Sequence, residues 1–400
     1  MVQLLLFITC AYYFGRVLST TFNKKFKEIS ETEESGESGE DDVLSDTGCN
    51  SSFESMKVSE ISESMALPTP LHSLKIEGCD DLTRIPESVT KNPSLQHLYI
   101  INCCSLKFFP YEGMALKILY IRNCKKLYFP LANENIQLDK LEDLRVGSSC
   151  DSLTDLSLHL FPELRSLSIW DCAKLQKLSM PQNSQIKLTS LETLEIRDCP
   201  NLENFPTGGL PTPNLKSIWF SNCKSLKELP DQLSTLECLK SMFINDCPEL
   251  VTLSKQVLPS KLSSLRINFC NKLIPGKEWG LHGLASLCLL EIEGGCKNVK
   301  SFPVEGLLPS NLSSLRISKL SDLKELDSTG LKKLESLKTL EISCCDKLQL
   351  LPKDGFPSSL SFLCIKECPL LKTKLQNKNR EDWSKIAHIS CIEIDEEVIS

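Results

Sequence analysis

The stretch LHSLKIEGCDDLTRIP, residues 71–86, carries the pattern that decides the fold. Its spacing returns in LQHLYIINCCSLKFFP at residues 95–110 and in LKTLEISCCDKLQLLP at residues 337–352. Thirteen copies of the phrase L-x-x-L-x-I-x-x-C-x-x-L-x-x-L/F-P follow one another at intervals of 21 to 27 residues. They start at Leu71, Leu95, Leu116, Leu141, Leu164, Leu191, Leu215, Leu239, Leu262, Leu287, Leu312, Leu337 and Leu360. Self-similarity at this period indicates a chain that stacks one small structural unit many times.

Each copy combines one strand with a return segment. Over residues 73–77, the alternation directs Leu74 and Ile76 to one side and their neighbours to the other, which is the pattern of a half-buried strand. Leu82 and Ile85 supply apolar side chains to the same core from the return segment. Repeats of about 20–29 residues with this spacing are typical of leucine-rich repeats. We therefore predict an α/β leucine-rich-repeat solenoid (horseshoe), with a parallel β-sheet on the concave face and mostly irregular, 3-10 or short helical convex segments.

A cysteine closes the strand in eleven copies, at Cys79, Cys103, Cys124, Cys172, Cys199, Cys223, Cys247, Cys270, Cys296, Cys345 and Cys368. The fourth repeat offers the shifted Cys150, and the eleventh has Leu320 instead. Disulfides would need pairs, whereas the phrase supplies one cysteine per repeat, and the clustered spacing of a metal site is absent from the sequence. We therefore favour a ladder of buried thiols. Free thiols favour a reducing compartment, so we expect a cytoplasmic or nuclear protein.

The segments before the array differ from it in composition. Residues 1–27 are apolar and then basic, and form a leader of undefined role. The apolar part is about 13 residues long, too short for an ordinary membrane span, and lacks the basic start of a signal peptide, so secretion is the minority interpretation. Residues 28–52 are typical of an acidic disordered linker. The repeat domain covers residues 53–400, with clear repeats from 71 to 382 and degenerate caps at 53–70 and 383–400.

Charge and motif content exclude several classes of function. Residues 28–64 carry twelve acids and one base, and the chain from residue 65 onward is neutral in formal charge. Binding to phosphate backbones needs a basic face, so we predict no nucleic-acid partner. Phosphate-binding loops, nucleophile elbows and zinc-protease motifs are absent, and the five histidines lack catalytic or metal-ligand spacing. We therefore predict no enzymatic activity, small-molecule substrate, cofactor or metal, and no membrane partner.

Three stretches carry a resemblance to a known family. They are the cysteine-bearing phrase LEIRDCPNLENFP, the return loop GGLPTPNLKSI and the tail EDWSKIAHISCIEIDEEVI. Together they resemble the leucine-rich-repeat domain of plant intracellular immune receptors, above all the coiled-coil class of nucleotide-binding leucine-rich-repeat disease-resistance proteins. The resemblance covers about residues 53–400. It implies a cytoplasmic sensor domain that recognises a pathogen effector or an effector-modified host protein, or that works with another receptor of this class.

The chain departs from that family's pattern in one respect. The coiled coil and the nucleotide-binding module have no counterpart in these 400 residues, so we expect no ADP or ATP site. Two other functions stay open. The first is a general leucine-rich-repeat scaffold or adaptor for protein–protein interaction without an immune role. The second is a secreted receptor ectodomain, which would require the leader to act as a signal peptide.

The outward residues between the two inward aliphatics are the natural contacts for a partner. Trp, Tyr and Arg are enriched at binding hot spots, and they concentrate in the first half of the array. The predicted protein-binding residues are Tyr99, Tyr120, Arg122, Arg145, Trp170, Arg197, Trp219 and Phe243. An alternative is that the aromatic pairs only stabilise the sheet across neighbouring strands. In the second half, Arg266, Glu291, Arg316 and Glu341 should form a ladder of opposite charges on strands about 4.8 Å apart.

Overall fold

The computed structural model describes residues 55–58, 65, 67, 70–109, 114–128, 138–181, 186–253, 257–376, 383–395 and 397–398. The predicted leader and acidic linker lie outside the described residues, as does most of the first cap. Within the described part of the chain, no helix combines the length and apolar character needed to cross a membrane.

Sixteen strands of the described residues form one sheet. They are β1 (Ser55–Val58), β2 (Ser73–Glu77), β3 (His97–Ile101), β4 (Ile118–Arg122), β5 (Asp143–Gly147), β7 (Ser166–Trp170), β9 (Thr193–Arg197), β10 (Ser217–Ser221), β11 (Ser241–Asn245), β12 (Ser264–Asn268), β13 (Leu289–Glu293), β15 (Ser314–Ser318), β17 (Thr339–Ser343), β18 (Phe362–Lys366), β19 (Cys391–Ile394) and β20 (Glu397–Val398). Neighbours pair in parallel from β1 to β19, and β20 closes the order by pairing antiparallel with β19. The predicted solenoid with a parallel sheet is confirmed.

The register of the sheet repeats without slippage from one copy to the next. Leu74 pairs with Leu98 and Ile76 pairs with Ile100, and the residue between them, Lys75, pairs with Tyr99. The four aliphatic side chains are fully buried, whereas the residues between them are half-buried. Because side chains alternate across a strand, this register stacks the aliphatics into one continuous core and aligns the remaining side chains in columns on the outer side.

The return segments contain little regular structure. The described helices are α1 (Glu87–Thr90), α2 (Ser328–Lys332) and α3 (Pro369–Gln376), together with four single 3-10 turns at Leu158–Leu160, Leu233–Thr235, Lys277–Trp279 and Leu281–Gly283. Two small parallel sheets pair β6 (Asp155–Ser157) with β8 (Lys177–Ser179), and β14 (Ser301–Phe302) with β16 (Glu325–Leu326). Proline and glycine in these segments leave few stretches long enough for a helix.

A left-handed residue ends nearly every strand of the main sheet, one position before the cysteine. Examples are Asn102 at φ 55°, Asp198 at φ 52° and Asp246 at φ 46°, with Gly78 at φ 68°. Asn, Asp and Gly adopt this conformation at low cost, which explains why they precede most of the ladder cysteines. The bend turns the chain from the sheet into the return segment and carries the next side chain inward.

The cysteines after the bend are buried free thiols, as predicted. Cys124 donates a long sulfur hydrogen bond of 3.3 Å to the carbonyl of Arg122, and Cys199 donates one of 3.2 Å to that of Arg197. Each of these carbonyls already accepts a backbone N–H from the neighbouring repeat, so the thiol adds a second, weaker hydrogen bond at the end of the strand. Burial raises the pKa of Cys172 and of Cys270 to about 12, which keeps these thiols protonated and unreactive at neutral pH.

The fourth repeat differs from the prediction. Ser149, not Cys150, occupies the ladder position, because it lies two residues after Gly147 at the end of its strand. The Ser149 hydroxyl donates to the Gly147 carbonyl at 2.7 Å and accepts from the backbone N–H of Cys124 at 2.9 Å. A hydroxyl makes the same bond to the strand end as a thiol, so serine substitutes for cysteine there. Cys150 is buried one position further along.

Candidate functional site

All eight predicted binding residues lie on the outer side of the main sheet, which we call the strand face. They occupy seven adjacent strands: Tyr99 on β3, Tyr120 and Arg122 on β4, Arg145 on β5, Trp170 on β7, Arg197 on β9, Trp219 on β10 and Phe243 on β11. Neighbouring parallel strands are about 4.8 Å apart, so this set spans roughly 30 Å along the sheet.

Four of these residues form one contiguous group, the Tyr–Trp cluster. The ring centroids of Tyr99 and Tyr120 lie 6.0 Å apart, and those of Tyr120 and Trp170 lie 5.8 Å apart. The guanidinium of Arg197 lies 6.0 Å from the Trp170 ring centroid, within cation–π range. Side chains from repeats two to six therefore meet on one surface, although they lie up to 98 positions apart in the sequence.

The Tyr–Trp cluster depends on a glycine that sequence reasoning did not single out. Gly147 is the β5 partner of both Arg122 and Trp170 in the sheet register. A Cβ atom placed on Gly147 would lie 1.9 Å from Cε2 of Trp170. The indole ring therefore lies across β5, over the backbone of Gly147, and reaches Tyr120 on the far side. A glycine at an outward strand position was the available sequence signal, since it often marks a close approach.

Trp219 and Phe243 form a second group, the Trp–Phe pair. They are direct neighbours in the register of β10 and β11. Their ring centroids lie 4.4 Å apart at an interplanar angle of 67°, which is an edge-to-face contact. The five rings of the strand face are half-buried, because they pack against neighbouring side chains on the sheet. The rings stabilise the sheet across neighbouring strands and leave part of their surface accessible to solvent.

Two of the predicted arginines are held by acids on their own strands. Arg145 donates from Nε and Nη2 to the two carboxylate oxygens of Asp143, at 3.1 and 2.8 Å. Arg197 Nε lies 2.9 Å from Glu195, whose carboxylate also accepts from the Ser168 hydroxyl at 3.0 Å. Both pairs are two residues apart and therefore on the same face of a strand. This spacing was visible in the sequence, yet the acids were not identified as orienting groups.

The second half of the strand face carries the predicted charge ladder. Arg266 lies 3.7 Å from Glu291, Glu291 lies 3.8 Å from Arg316, and Arg316 lies 3.2 Å from Glu341. The structure confirms the prediction, because the register places these four residues directly opposite one another on β12, β13, β15 and β17. Each charge has an opposite charge beside it, so this half presents little net field to a partner.

The described residues contain no group of three or more His, Cys, Asp or Glu side chains placed to hold a metal ion.

Comparison with known proteins gave one family model and several relatives. The family model described as Ycf1 matches residues 1–92, less than a quarter of the chain. An Arabidopsis thaliana protein described as a disease resistance protein is 46% identical over 355 residues, covering 87% of this chain and 25% of its own length. The RPP13-like protein 1 of the same plant is 31% identical over 115 residues, covering 28% of this chain and 11% of that protein. The chain is a leucine-rich-repeat member of the plant disease-resistance family.

This leucine-rich-repeat domain spans about a quarter of the first of those disease-resistance relatives. Two solved structures are similar to it at low scores. An internalin from Listeria monocytogenes is 17% identical, covering 72% of this chain and 87% of that chain, with a TM-score of 0.34. The circular leucine-rich-repeat protein CroV588 is 12% identical, covering 78% of this chain and 58% of that chain, with a TM-score of 0.36. The fold assignment therefore depends on the sheet register described above.

Proposed function

We propose that this leucine-rich-repeat domain is a protein-recognition module of plant defence, which senses a pathogen effector or an effector-modified host protein. The observation that carries the proposal is the concentration of aromatic and arginine side chains on β3–β11. Such residues dominate the energetics of protein interfaces. The strand face from β12 to β17 offers a self-neutralised ladder instead. The family assignment supports a role in defence.

The proposed module acts by binding and not by catalysis, in the cytoplasm or nucleus. Support for a non-enzymatic role comes from the repeat architecture and from relatives described as disease resistance proteins. Support for a reducing compartment comes from the thiol ladder, since the described cysteines are free. In an oxidising compartment, closely spaced thiols on neighbouring strands would form non-native disulfides during folding.

A comparison of two double variants tests the proposal. The variant Trp219→Ala/Phe243→Ala removes the Trp–Phe pair, and Arg316→Ala/Glu341→Ala removes a neighbouring pair from the charge ladder. Tagged wild-type and variant proteins are incubated with extract of infected plant tissue, and bound proteins are quantified by mass spectrometry. We expect the bound amount of one or more partner proteins to fall at least tenfold with the aromatic variant and less than twofold with the ladder variant.

Melting temperatures of both variants provide the control for folding. A change of only a few degrees in each is expected, because the inward aliphatics are untouched. Equal retention of every bound protein by wild type and the aromatic variant would remove the assignment of the binding face to the first half of the array.

A further inference from the structure

The guanidinium of Arg145 is held in one orientation, but only some of its N–H groups have hydrogen-bond partners. Asp143 accepts from Nε and from one N–H of Nη2, which leaves three of the five guanidinium N–H groups directed away from Asp143. Within the described residues these three groups have no hydrogen-bond partner. The side chain is 51% exposed, so this free edge of the guanidinium is accessible from solvent. A fixed fork of donors is the arrangement that matches an oxygen pair of a carboxylate.

Two tyrosine hydroxyls lie on the same part of the strand face. Tyr120 pairs with Arg145 in the register, and Tyr99 pairs with Tyr120 on the next strand. Neither hydroxyl has a hydrogen-bond partner among the described residues, so both can donate to a group that approaches from outside. The pKa of Arg145 is raised, first by its hydrogen bonds to Asp143 and more weakly by the nearby phenol groups of Tyr99 and Tyr120.

The charge balance favours an acidic partner on this half of the face. The outward residues of β3–β9 include three arginines against two acids. Those of β12–β17 include two arginines against three glutamates, and the ladder pairs them across strands. A carboxylate that approaches Arg145 also lies beside the apolar surface of Trp170, so an acidic residue flanked by apolar side chains would use both features.

We propose that Arg145, together with the hydroxyls of Tyr99 and Tyr120, binds an Asp or Glu carboxylate from an acidic, partly apolar segment of the partner protein. This inference rests on the proposed function and specifies the chemistry of the partner. Asp143 is a positioning residue, because it holds the guanidinium so that its free edge points outward. Trp170 supplies the apolar surface next to the charge. The second half of the strand face takes no part in this contact.

Peptide selection on the full 400-residue protein tests the proposal. A displayed library of random 12-residue peptides is selected against wild type, and the recovered peptides are sequenced and synthesised. We expect enrichment of Asp and Glu over the starting library, and at least tenfold weaker binding when the critical Glu is replaced by Gln. The affinity should also fall as NaCl is raised from about 50 to 500 mM, since ion pairs are screened.

Protein variants locate the contact. We expect Arg145→Gln to weaken binding of the acidic peptides at least tenfold. The double variant Tyr99→Phe/Tyr120→Phe should weaken their binding about threefold. Arg266→Gln on the charge ladder is the matched control and should change affinity less than twofold. The tyrosine variant keeps both rings, so it reports on the hydroxyls even if Arg145→Gln disturbs folding.

The outcomes separate this inference from the proposed function. Binding of the selected peptides could depend on Trp170 or the Trp–Phe pair of the protein, but neither on Arg145 nor on an acidic residue of the peptide. That result would overturn the carboxylate assignment and leave the proposed binding face in place. Peptides that require none of these residues, or a failure to recover any binder, would count against both. Tighter binding of a phosphoserine peptide than of its Glu counterpart would replace the carboxylate with a phosphate and overturn the assignment.

Discussion

The two halves of the strand face share a backbone and a core but differ in their outer side chains. On β3–β11, rings and arginines form the Tyr–Trp cluster and the Trp–Phe pair. On β12–β17, the charge ladder occupies the column that holds Tyr99, Tyr120 and Phe243 in the first half. Most inward positions are leucine or isoleucine in both halves, for example Leu98 and Ile100 against Leu315 and Ile317, all almost fully buried. The fold therefore depends little on which side chains occupy the outer columns, so these positions are available for recognition.

The energetics of the two halves also differ. An aromatic pair contributes about 0.5–1.5 kcal/mol beyond its buried area, and it is insensitive to salt. An exposed ion pair contributes about 0–1 kcal/mol and weakens as salt rises. Each charge of the ladder has an opposite charge within 3.8 Å, whereas Arg145 keeps part of its guanidinium directed outward. A partner therefore has more to gain from contact with the first half.

The largest expected effect is on the shared core, where the halves should respond alike. Cys103→Asp in the first half and Cys345→Asp in the second bury a carboxylate beside apolar side chains, since both cysteines are fully buried. We expect each to lower the free energy of unfolding by about 3–5 kcal/mol, measured by urea denaturation. Cys104→Asp, one residue along but exposed, is the control and should cost less than about 0.5 kcal/mol. An equally small effect at Cys103 would contradict a buried thiol ladder.

An intermediate effect is expected where the first half depends on a single glycine. Gly147→Ala places a methyl group where the Trp170 ring lies, so the ring must leave its position against Tyr120. We expect a loss of about 1–2 kcal/mol in unfolding free energy and a shift of the Trp170 indole signal in NMR spectra. In a Trp170→Ala background, Gly147→Ala should lower the unfolding free energy by less than about 0.5 kcal/mol, because there is no ring to displace. Equal costs in both backgrounds would show that the ring does not occupy this space.

The smallest effect is expected on the charge ladder. Arg316→Met removes the contacts to Glu291 and Glu341 and should lower the unfolding free energy by about 0.2–1 kcal/mol at low salt. The loss should shrink in 0.5 M NaCl, where ion pairs are screened. A double-mutant cycle with Glu341→Gln isolates the pair. A coupling above about 2 kcal/mol, or one unchanged by salt, would mean that the ladder is not the weak, self-neutralised surface described here.

Much of this molecule could be predicted from the sequence. The recurrence of the phrase that begins at Leu71, with its period-2 alternation, determined the strands, their parallel register and the buried aliphatics, because only one stacking order keeps every leucine inside. The same alternation placed the four residues of the charge ladder opposite one another. These features depend on spacing along the chain, which a sequence displays directly.

Other features depended on distances between side chains of different repeats, and only the tertiary structure decided them. The depth of the rings and the position of the Trp170 ring over Gly147 follow from packing against neighbouring strands. The place of Ser149 in the ladder is shown by its hydroxyl, which accepts from the backbone N–H of Cys124 in the neighbouring repeat. The sequence by itself determined the solenoid and its columns. Packing between columns decided which groups stay accessible to solvent, because that depends on contacts between side chains that are distant in the sequence.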